Sequence, residues 1–132
     1  MSLHSLMDTD WVIHSLHAHP TIVARLDALQ PQGLALSIIS LAELYEGVYY
    51  SRDPEGDEQD LTNFLRGVTV LGLDTDIAKT FGRERGRLRA AGTLIGDLDL
   101  LIGATALHHN LTFLTNNRSH FERMAGLQME SI

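Results

Sequence analysis

Short apolar runs alternate along this chain with longer segments in which apolar residues recur at helical spacing. The runs are interpreted as strands, and they read "HSLM", "LALSII", "VTVLGL", "LTFL" and "LQME", of which "LALSII" is expected to be buried. After the first run, Pro20 starts a segment in which Ile22, Val23, Leu26 and Leu29 are expected to share one helix face. This alternation predicts a three-layer α/β/α fold, in which helices flank a central, mostly parallel sheet of about four or five strands.

The sequence also predicts boundaries for two helices and a loop between elements. The helix after the second strand is expected to open at Ser40 and to reach about Tyr50. The acidic run from Asp53 to Asp60 is interpreted as a solvated loop that leads into the next helix. Asp74 is expected to begin a long helix, which Gly92 ends.

The segment "GDLDLLIGATALHHN", residues 96–110, is long enough for a helix and apolar on every side, yet it begins with Asp97 and Asp99. Burying charged side chains without partners is costly, so these two carboxylates need an explanation. The structural explanation is that Asp97 caps the helix and Asp99 favours its dipole. The functional explanation is that the charges are buried around a metal ion.

Carboxylates also follow the first two predicted strands. Asp8 and Asp10 come after the first strand, and Glu43 is expected in the first turn of the helix after the second. In a parallel sheet these positions share one edge with the start of the buried helix, and sites form in such crevices. Converging carboxylates raise one another's pKa unless a cation is present, and oxygen ligands without cysteine select Mg²⁺ or Mn²⁺. Each acid alone has a structural alternative, since Asp8 or Asp10 could cap a helix and Ser40 with Glu43 fits a capping box.

Composition narrows the classes of function. The 132 residues are enough for one compact domain, and the net charge of −7 argues against nucleic-acid binding by bulk electrostatics. The absence of cysteine excludes disulfides, thiolate zinc sites and cysteine nucleophiles, and it is compatible with a reducing cytoplasm. No signal peptide or membrane span is expected. Half of the ten basic residues fall between Lys79 and Arg89, on a helix-like stretch whose simplest interpretation is a solvated face.

Three stretches together resemble the PIN-domain family, and within it the VapC-type toxins of bacterial toxin–antitoxin pairs. They are "LMDTDWVI", "ISLAELYEGVYYS" and "IGDLDLLIGATALHHNLTFLTNNRSHFERMAGLQME". The family's acids fall at Asp8, Glu43 and Asp99, and its polar "TNN" turn spans residues 115–117. The resemblance runs from end to end and implies a single PIN-like domain over residues 1–132.

The resemblance implies a cytoplasmic, metal-dependent endoribonuclease. Asp8 and Asp99 would bind Mg²⁺ (or Mn²⁺), and Glu43 would bind it through water or activate the attacking water. Hydrolysis would leave 5′-phosphate and 3′-hydroxyl ends, with Thr115 and Asn117 as supporting polar residues. The family also implies a homodimer and a small antitoxin that inserts a segment into the acidic groove. The candidates for contacts with the RNA backbone are the basic residues Arg83, Arg85, Arg87, Arg89 and Arg118.

One position departs from the family pattern. Many relatives have an Asp or Glu immediately before the phenylalanine of the final motif, where this chain has His120. The fourth acid is therefore missing, unless Asp97 replaces it. Two alternatives to the nuclease stay open. One is a haloacid-dehalogenase-like phosphatase with Asp8 as nucleophile and Asp10 as acid, and the other is an inactive PIN-fold binding protein.

Overall fold

A five-stranded sheet forms the centre of the computed structural model, which describes residues 2–132. All neighbouring strands pair in parallel, and their order across the sheet is β3-β2-β1-β4-β5. The strands are β1 (Ser5–Met7), β2 (Leu34–Ser37), β3 (Val68–Leu71), β4 (Thr112–Leu114) and β5 (Met129–Glu130). The predicted parallel sheet with helices on both faces is confirmed.

Helices connect the strands and cover the sheet. They are α1 (Thr9–Leu16), α2 (Pro20–Leu29), α3 (Ile38–Tyr49), α4 (Pro54–Phe64), α5 (Thr75–Ala90), α6 (Asp97–His108) and α7 (Arg118–Phe121). A 3₁₀ turn, Gln30–Gln32, follows α2 where the sequence has "QPQ". No helix within residues 2–132 is both long and apolar enough to cross a membrane.

Two hydrophobic cores lie on opposite faces of the sheet. Successive strand residues point to opposite faces, so in β1 Leu6 belongs to one core and Met7 to the other. The core on the side of Leu6 contains residues of α5, α6 and α7, including Leu88 and Phe121. The core on the side of Met7 contains residues of α1 to α4, including the fully buried Trp11. Because both faces of the central strands are covered, β1, β2 and β4 have apolar residues at successive positions.

The second strand is shorter than predicted, and the helix after it begins earlier. The sequence run "LALSII" is a strand only as far as Ser37, whose hydroxyl accepts a hydrogen bond from the Ile39 backbone N–H at 3.1 Å. Ser37 is therefore the N-cap of α3, and the helix begins at Ile38 rather than at Ser40. This shift matters for the site, because it moves Glu43 from the first turn of the helix to the second.

The acidic run is also helical earlier than expected. Asp53 caps α4 by accepting a hydrogen bond from the Gly56 backbone N–H at 3.1 Å, and Pro54 is the first helical residue. The acids that follow lie in the first turns of this helix, where they favour its dipole. The expectation of a solvated loop here is wrong, although Asp57 and its acidic neighbours are exposed as expected.

The long helix α5 begins and ends as predicted. Asp74 caps it by accepting a hydrogen bond from the Ile77 backbone N–H at 2.8 Å. Gly92 follows the helix with a φ of 69°, in the left-handed region that glycine adopts most easily. From there the chain crosses to α6, which packs against α5 and contributes its buried residues to the core on the side of Leu6.

Candidate functional site

Asp8 is the buried carboxylate of the site. It directly follows β1 and is only 6% exposed. It caps α1 by accepting a hydrogen bond from the Thr9 backbone N–H at 2.8 Å, and its other oxygen accepts one from the Thr115 hydroxyl at 2.7 Å. Burial raises the pKa of Asp8 to about 6, and the negative charges of Asp10 and Asp99 add to this rise, while the two hydrogen bonds oppose it. A nearby cation would stabilise the ionised form of this carboxylate, which burial disfavours.

Asp99 lies in the first turn of α6 and faces the same edge of the sheet. Its Oδ2 atom is 3.6 Å from Nδ1 of His120, and its side chain is 33% exposed. Its negative charge acts on Asp8, as the pKa of that group shows. The structure therefore brings these two predicted site residues together.

Asp97 has a different neighbour. The N-cap of α6 is Gly96, so the prediction that Asp97 caps this helix is wrong. The Asp97 carboxylate accepts a hydrogen bond from Nε of Arg85 at 2.9 Å, and its side chain is 63% exposed. The α5 arginine thus holds this carboxylate at the surface in an ion pair.

Glu43 is tied to the site through a threonine. It lies in the second turn of α3, and its Oε1 atom accepts a hydrogen bond from the Thr9 hydroxyl at 2.7 Å. The predicted capping box of Ser40 and Glu43 is wrong, because Ser37 provides the cap. The buried Ser40 hydroxyl has no hydrogen-bond partner within the described residues. Thr9 was not among the predicted site residues, although it directly follows Asp8.

Polar residues after β4 join the two aspartates. The buried Thr115 hydroxyl donates to Asp8 and accepts a hydrogen bond from the Asn117 backbone N–H at 3.0 Å. The Asn117 side-chain Nδ2 donates to Nδ1 of His120 at 3.1 Å, and that nitrogen faces Asp99. A continuous polar chain therefore runs from Asp8 to Asp99 along the edge of the sheet.

Asn116 is a second residue that sequence reasoning did not single out. Its Oδ1 atom accepts hydrogen bonds from Nε1 of Trp11 at 3.2 Å and from the Ile132 backbone N–H at 3.0 Å. These contacts tie the turn after β4 to α1 and to the end of the chain. Its position inside the "TNN" turn was the one sequence feature that indicated a role. Its hydrogen-bond partners, Trp11 and Ile132, are distant in sequence.

The five candidate RNA-binding arginines divide into two groups. Arg85 is bound to Asp97, and Arg87 donates to Glu84 at 3.0 Å and 3.1 Å and also to a backbone carbonyl. Among residues 2–132, the Arg118 side chain, at the start of α7, donates only to the Ser131 hydroxyl, at 3.0 Å. The others, Arg83 and Arg89, are exposed and make no side-chain hydrogen bond or ion pair with the residues that the structure describes.

The donor set fits a hard cation bound largely through water. Within residues 2–132, no three His, Asp or Glu side chains converge into a ready-made metal cluster. Mg²⁺ does not need one, since it is usually held by one or two carboxylates and keeps several waters. Asp8 and Asp99 supply two such carboxylates, and a cation between them would offset the repulsion that helps to raise the pKa of Asp8.

A groove of about 290 Å³ opens beside Glu43, between α1, α3 and α4. Its walls are mainly apolar, and they include Ile13, Leu16 and Val48. Besides Glu43, the acids Asp57 and Asp60 line it, both from α4. The groove therefore combines an apolar floor with negative charge next to the candidate site.

Comparison with known protein families identifies the family of this chain. A model of the PIN domain matches residues 6–127. The chain belongs to the PIN-domain family. Ribonuclease VapC2 of Rickettsia felis is 31% identical to this PIN domain over 128 residues, which are 96% of each protein. The tRNA(fMet)-specific endonuclease VapC of Salmonella typhimurium is 30% identical over 128 residues, 97% of each protein.

A solved structure agrees with this assignment. The structure of VapBC2 from R. felis, bound to a DNA fragment from their promoter, matches this PIN domain with a TM-score of 0.91 at 30% identity and covers 98% of both chains. The resemblance to VapC-type PIN domains is thus confirmed. Membership of this family gives no support to the haloacid-dehalogenase-like alternative, whose candidate acid, Asp10, is exposed on α1.

Proposed function

We propose that this PIN domain is a metal-dependent endoribonuclease and the toxin of a toxin–antitoxin pair. The observation that carries the proposal is the buried Asp8 carboxylate, whose pKa is raised to about 6 while Asp10 and Asp99 add negative charge beside it. The negative charges of these carboxylates repel one another, and a cation bound between them and the phosphate of a substrate would offset that repulsion. The ribonuclease relatives, similar over almost their whole length, support RNA as the substrate.

Asp8 and Asp99 would hold the metal ion, which is Mg²⁺ or Mn²⁺ in this proposal. When bound, such an ion lowers the pKa of water and offsets the charge that develops on the phosphate. Asp8 has to be ionised to act as a ligand, so its affinity for a cation should fall as the pH drops below about 6. The hydrogen bonds from Thr9 and Thr115 fix the orientation of both Asp8 oxygens.

Glu43 would orient the attacking water and accept its proton. The Thr9 hydroxyl holds Oε1 of Glu43 at 2.7 Å, which leaves Oε2 free to face the water. Attack of water on phosphorus breaks the bond to the 3′ oxygen, which takes up a proton from solvent, so the products carry 5′-phosphate and 3′-hydroxyl ends. Thr115 and Asn117 would support the reaction by holding Asp8 and the turn after β4 in place.

The RNA backbone would contact the arginines that are not bound to carboxylates. Arg83 and Arg89 on α5 fit this role better than Arg85 and Arg87, whose side chains already pair with Asp97 and Glu84. Arg118 starts the short helix that carries His120, so it lies next to the carboxylate edge. With a net charge of −7, this local basic surface and the bound cation would have to overcome general repulsion of RNA.

An antitoxin is the protein partner in this proposal. The groove beside Glu43, with its apolar walls and acidic Asp57 and Asp60, is suited to an apolar segment that carries a basic side chain. The similarity to the VapBC2 structure supports such a partner. The homodimer implied by the resemblance is part of the same proposal.

The test is cleavage of a mixed cellular RNA preparation by the full-length protein without any antitoxin. We expect discrete fragments with 5′-phosphate ends in Mg²⁺ or Mn²⁺, none in EDTA, and none from the Asp99→Asn variant. Folded protein that cleaves RNA in neither metal would refute the nuclease and favour an inactive PIN-fold binding protein. Cleavage that persists in EDTA would refute the metal dependence alone.

A further inference from the structure

His120 presents a nitrogen atom to the carboxylate edge. Its Nδ1 atom is 3.6 Å from Oδ2 of Asp99, and the two side chains are 46% and 33% exposed. An exposed histidine is common on a protein surface, but this one faces a carboxylate whose charge acts on the buried Asp8. No step of the proposed reaction uses it.

Two contacts fix where the imidazole lies. The next residue, Phe121, is fully buried and packs edge-on against Phe113, with ring centroids 4.6 Å apart. On the other side, Nδ2 of Asn117 donates a hydrogen bond to Nδ1 of His120 at 3.1 Å. The imidazole is therefore held at the site by the core beneath it and by the "TNN" turn beside it.

The contact with Asn117 also concerns the atom that would bind a cation. In this arrangement the Asn117 amide donates to Nδ1, which accepts with its one lone pair. The same nitrogen lies 3.6 Å from the Asp99 carboxylate oxygen. A metal ion beside Asp99 would take the place of the amide hydrogen on that lone pair, and it would then be held by a nitrogen and an oxygen donor.

We propose that His120 supplies a nitrogen ligand to the metal ion of this site, and that this ligand gives the site a preference for Mn²⁺ over Mg²⁺. The inference rests on the metal site of the proposed function. Bonds from such ions to nitrogen or oxygen are about 2.1 Å long, so donors 3.6 Å apart can both contact one ion. His120 then shares the ion with Asp99.

The expected metal preference follows from the change of donor. Mg²⁺ is a hard ion that favours oxygen ligands, whereas transition metals accept imidazole nitrogen more readily. We therefore expect His120→Asp, which offers an oxygen at the same position, to bind Mg²⁺ more tightly than the wild type. The ratio of the Mg²⁺ and Mn²⁺ dissociation constants should fall by about tenfold in this variant, the scale of effects seen when groups around a metal are changed.

Pulsed electron paramagnetic resonance of the full-length protein loaded with Mn²⁺ tests the proposal without any RNA. A nitrogen ligand couples its nuclear spin to the Mn²⁺ electrons, and we expect that coupling in the wild type. It should disappear in His120→Gln and persist in the matched control His109→Gln, which changes an exposed histidine at the opposite end of α6 from Asp99. Circular dichroism checks that each variant is folded.

Two results would overturn the inference, and they separate it from the proposed function. Bound Mn²⁺ without nitrogen coupling in the wild type would leave the carboxylates as the ligands and His120 as a neighbour only, so the metal-dependent nuclease would stand. No bound Mn²⁺ at all would refute both the histidine ligand and the metal site. Nitrogen coupling that persists in His120→Gln would assign the ligand to a different residue.

Discussion

Replacing Asp8 by Asn should make the protein more stable at neutral pH. Burial raises the pKa of Asp8 from 3.8 to about 6, which corresponds to a cost of roughly 3 kcal/mol for holding the ionised group in the folded state. Asn removes that charge and is an equally good N-cap, so the hydrogen bond from the Thr9 backbone is kept. The amide faces the Thr115 hydroxyl less favourably than the carboxylate does, at a cost of about 1 kcal/mol. The expected net gain is about 2 kcal/mol.

The sign of the pH dependence follows from the same shift. Between pH 3.8 and about 6, the folded state keeps the Asp8 proton, whereas the unfolded state has lost it. Folded protein thus binds more protons than unfolded protein, and the free energy of unfolding falls as the pH rises through this window. Above it the contribution of Asp8 is constant. The Asp8→Asn variant should lack this part of the pH dependence.

Urea denaturation followed by the fluorescence of Trp11 gives the required free energies, because this single tryptophan lies on α1, is fully buried and donates a hydrogen bond to the turn after β4. The measurement is made at about pH 5 and about pH 7.5. Asp10→Asn is the control, since Asp10 is exposed and should change stability by no more than about 0.5 kcal/mol. If Asp8→Asn is less stable than the wild type at the higher pH, then the Asp8 charge stabilises the fold, and the reasoning is wrong.

Three further substitutions test interactions elsewhere in the fold by the same denaturation assay. Glu84→Gln should lose about 1–3 kcal/mol, because the nearly buried carboxylate binds Arg87 and the Ala125 backbone N–H; an unchanged midpoint would refute this. Gly86→Ala should gain about 0.5–1 kcal/mol, since it lies inside α5 with open space where a Cβ would be, and a loss would contradict that. Gly33→Ala should lose about 2 kcal/mol, because its φ is 101° and a Cβ would meet backbone of the chain start; equal stability would show that the turn adapts.

The layers of the fold were predictable from the sequence because the central strands are covered on both faces. Leu6 and Met7 enter different cores, so β1 has apolar residues at successive positions, and the same holds for β2 and β4. Once the first strand was predicted, the position of Asp8 directly after it was predicted as well. Asp74 and Gly92 bounded α5 because their capping signals are local.

Features that depend on distant residues were not predictable in this way. Ser37 and Ser40 both precede apolar residues, and only the structure shows that the first is the cap of α3. The local sequence predicted Asp97 as a helix cap. In the structure its carboxylate instead binds Arg85, which lies on a different helix. The contact of Thr9 with Glu43 joins residues that are 34 positions apart. Contacts of this kind depend on how distant elements pack together, and periodicity and capping signals describe only local sequence.

The central claim is that Asp8 and Asp99 bind the metal ion on which RNA cleavage depends. Asp97 and Asp99 test it most directly, because they lie two residues apart on α6, yet one pairs with Arg85 at the surface and the other faces the site. We expect Asp99→Asn to slow cleavage of cellular RNA by at least about 100-fold. Asp97→Asn should retain a rate close to that of the wild type. Equal loss in both variants, or full activity in Asp99→Asn, would contradict the account.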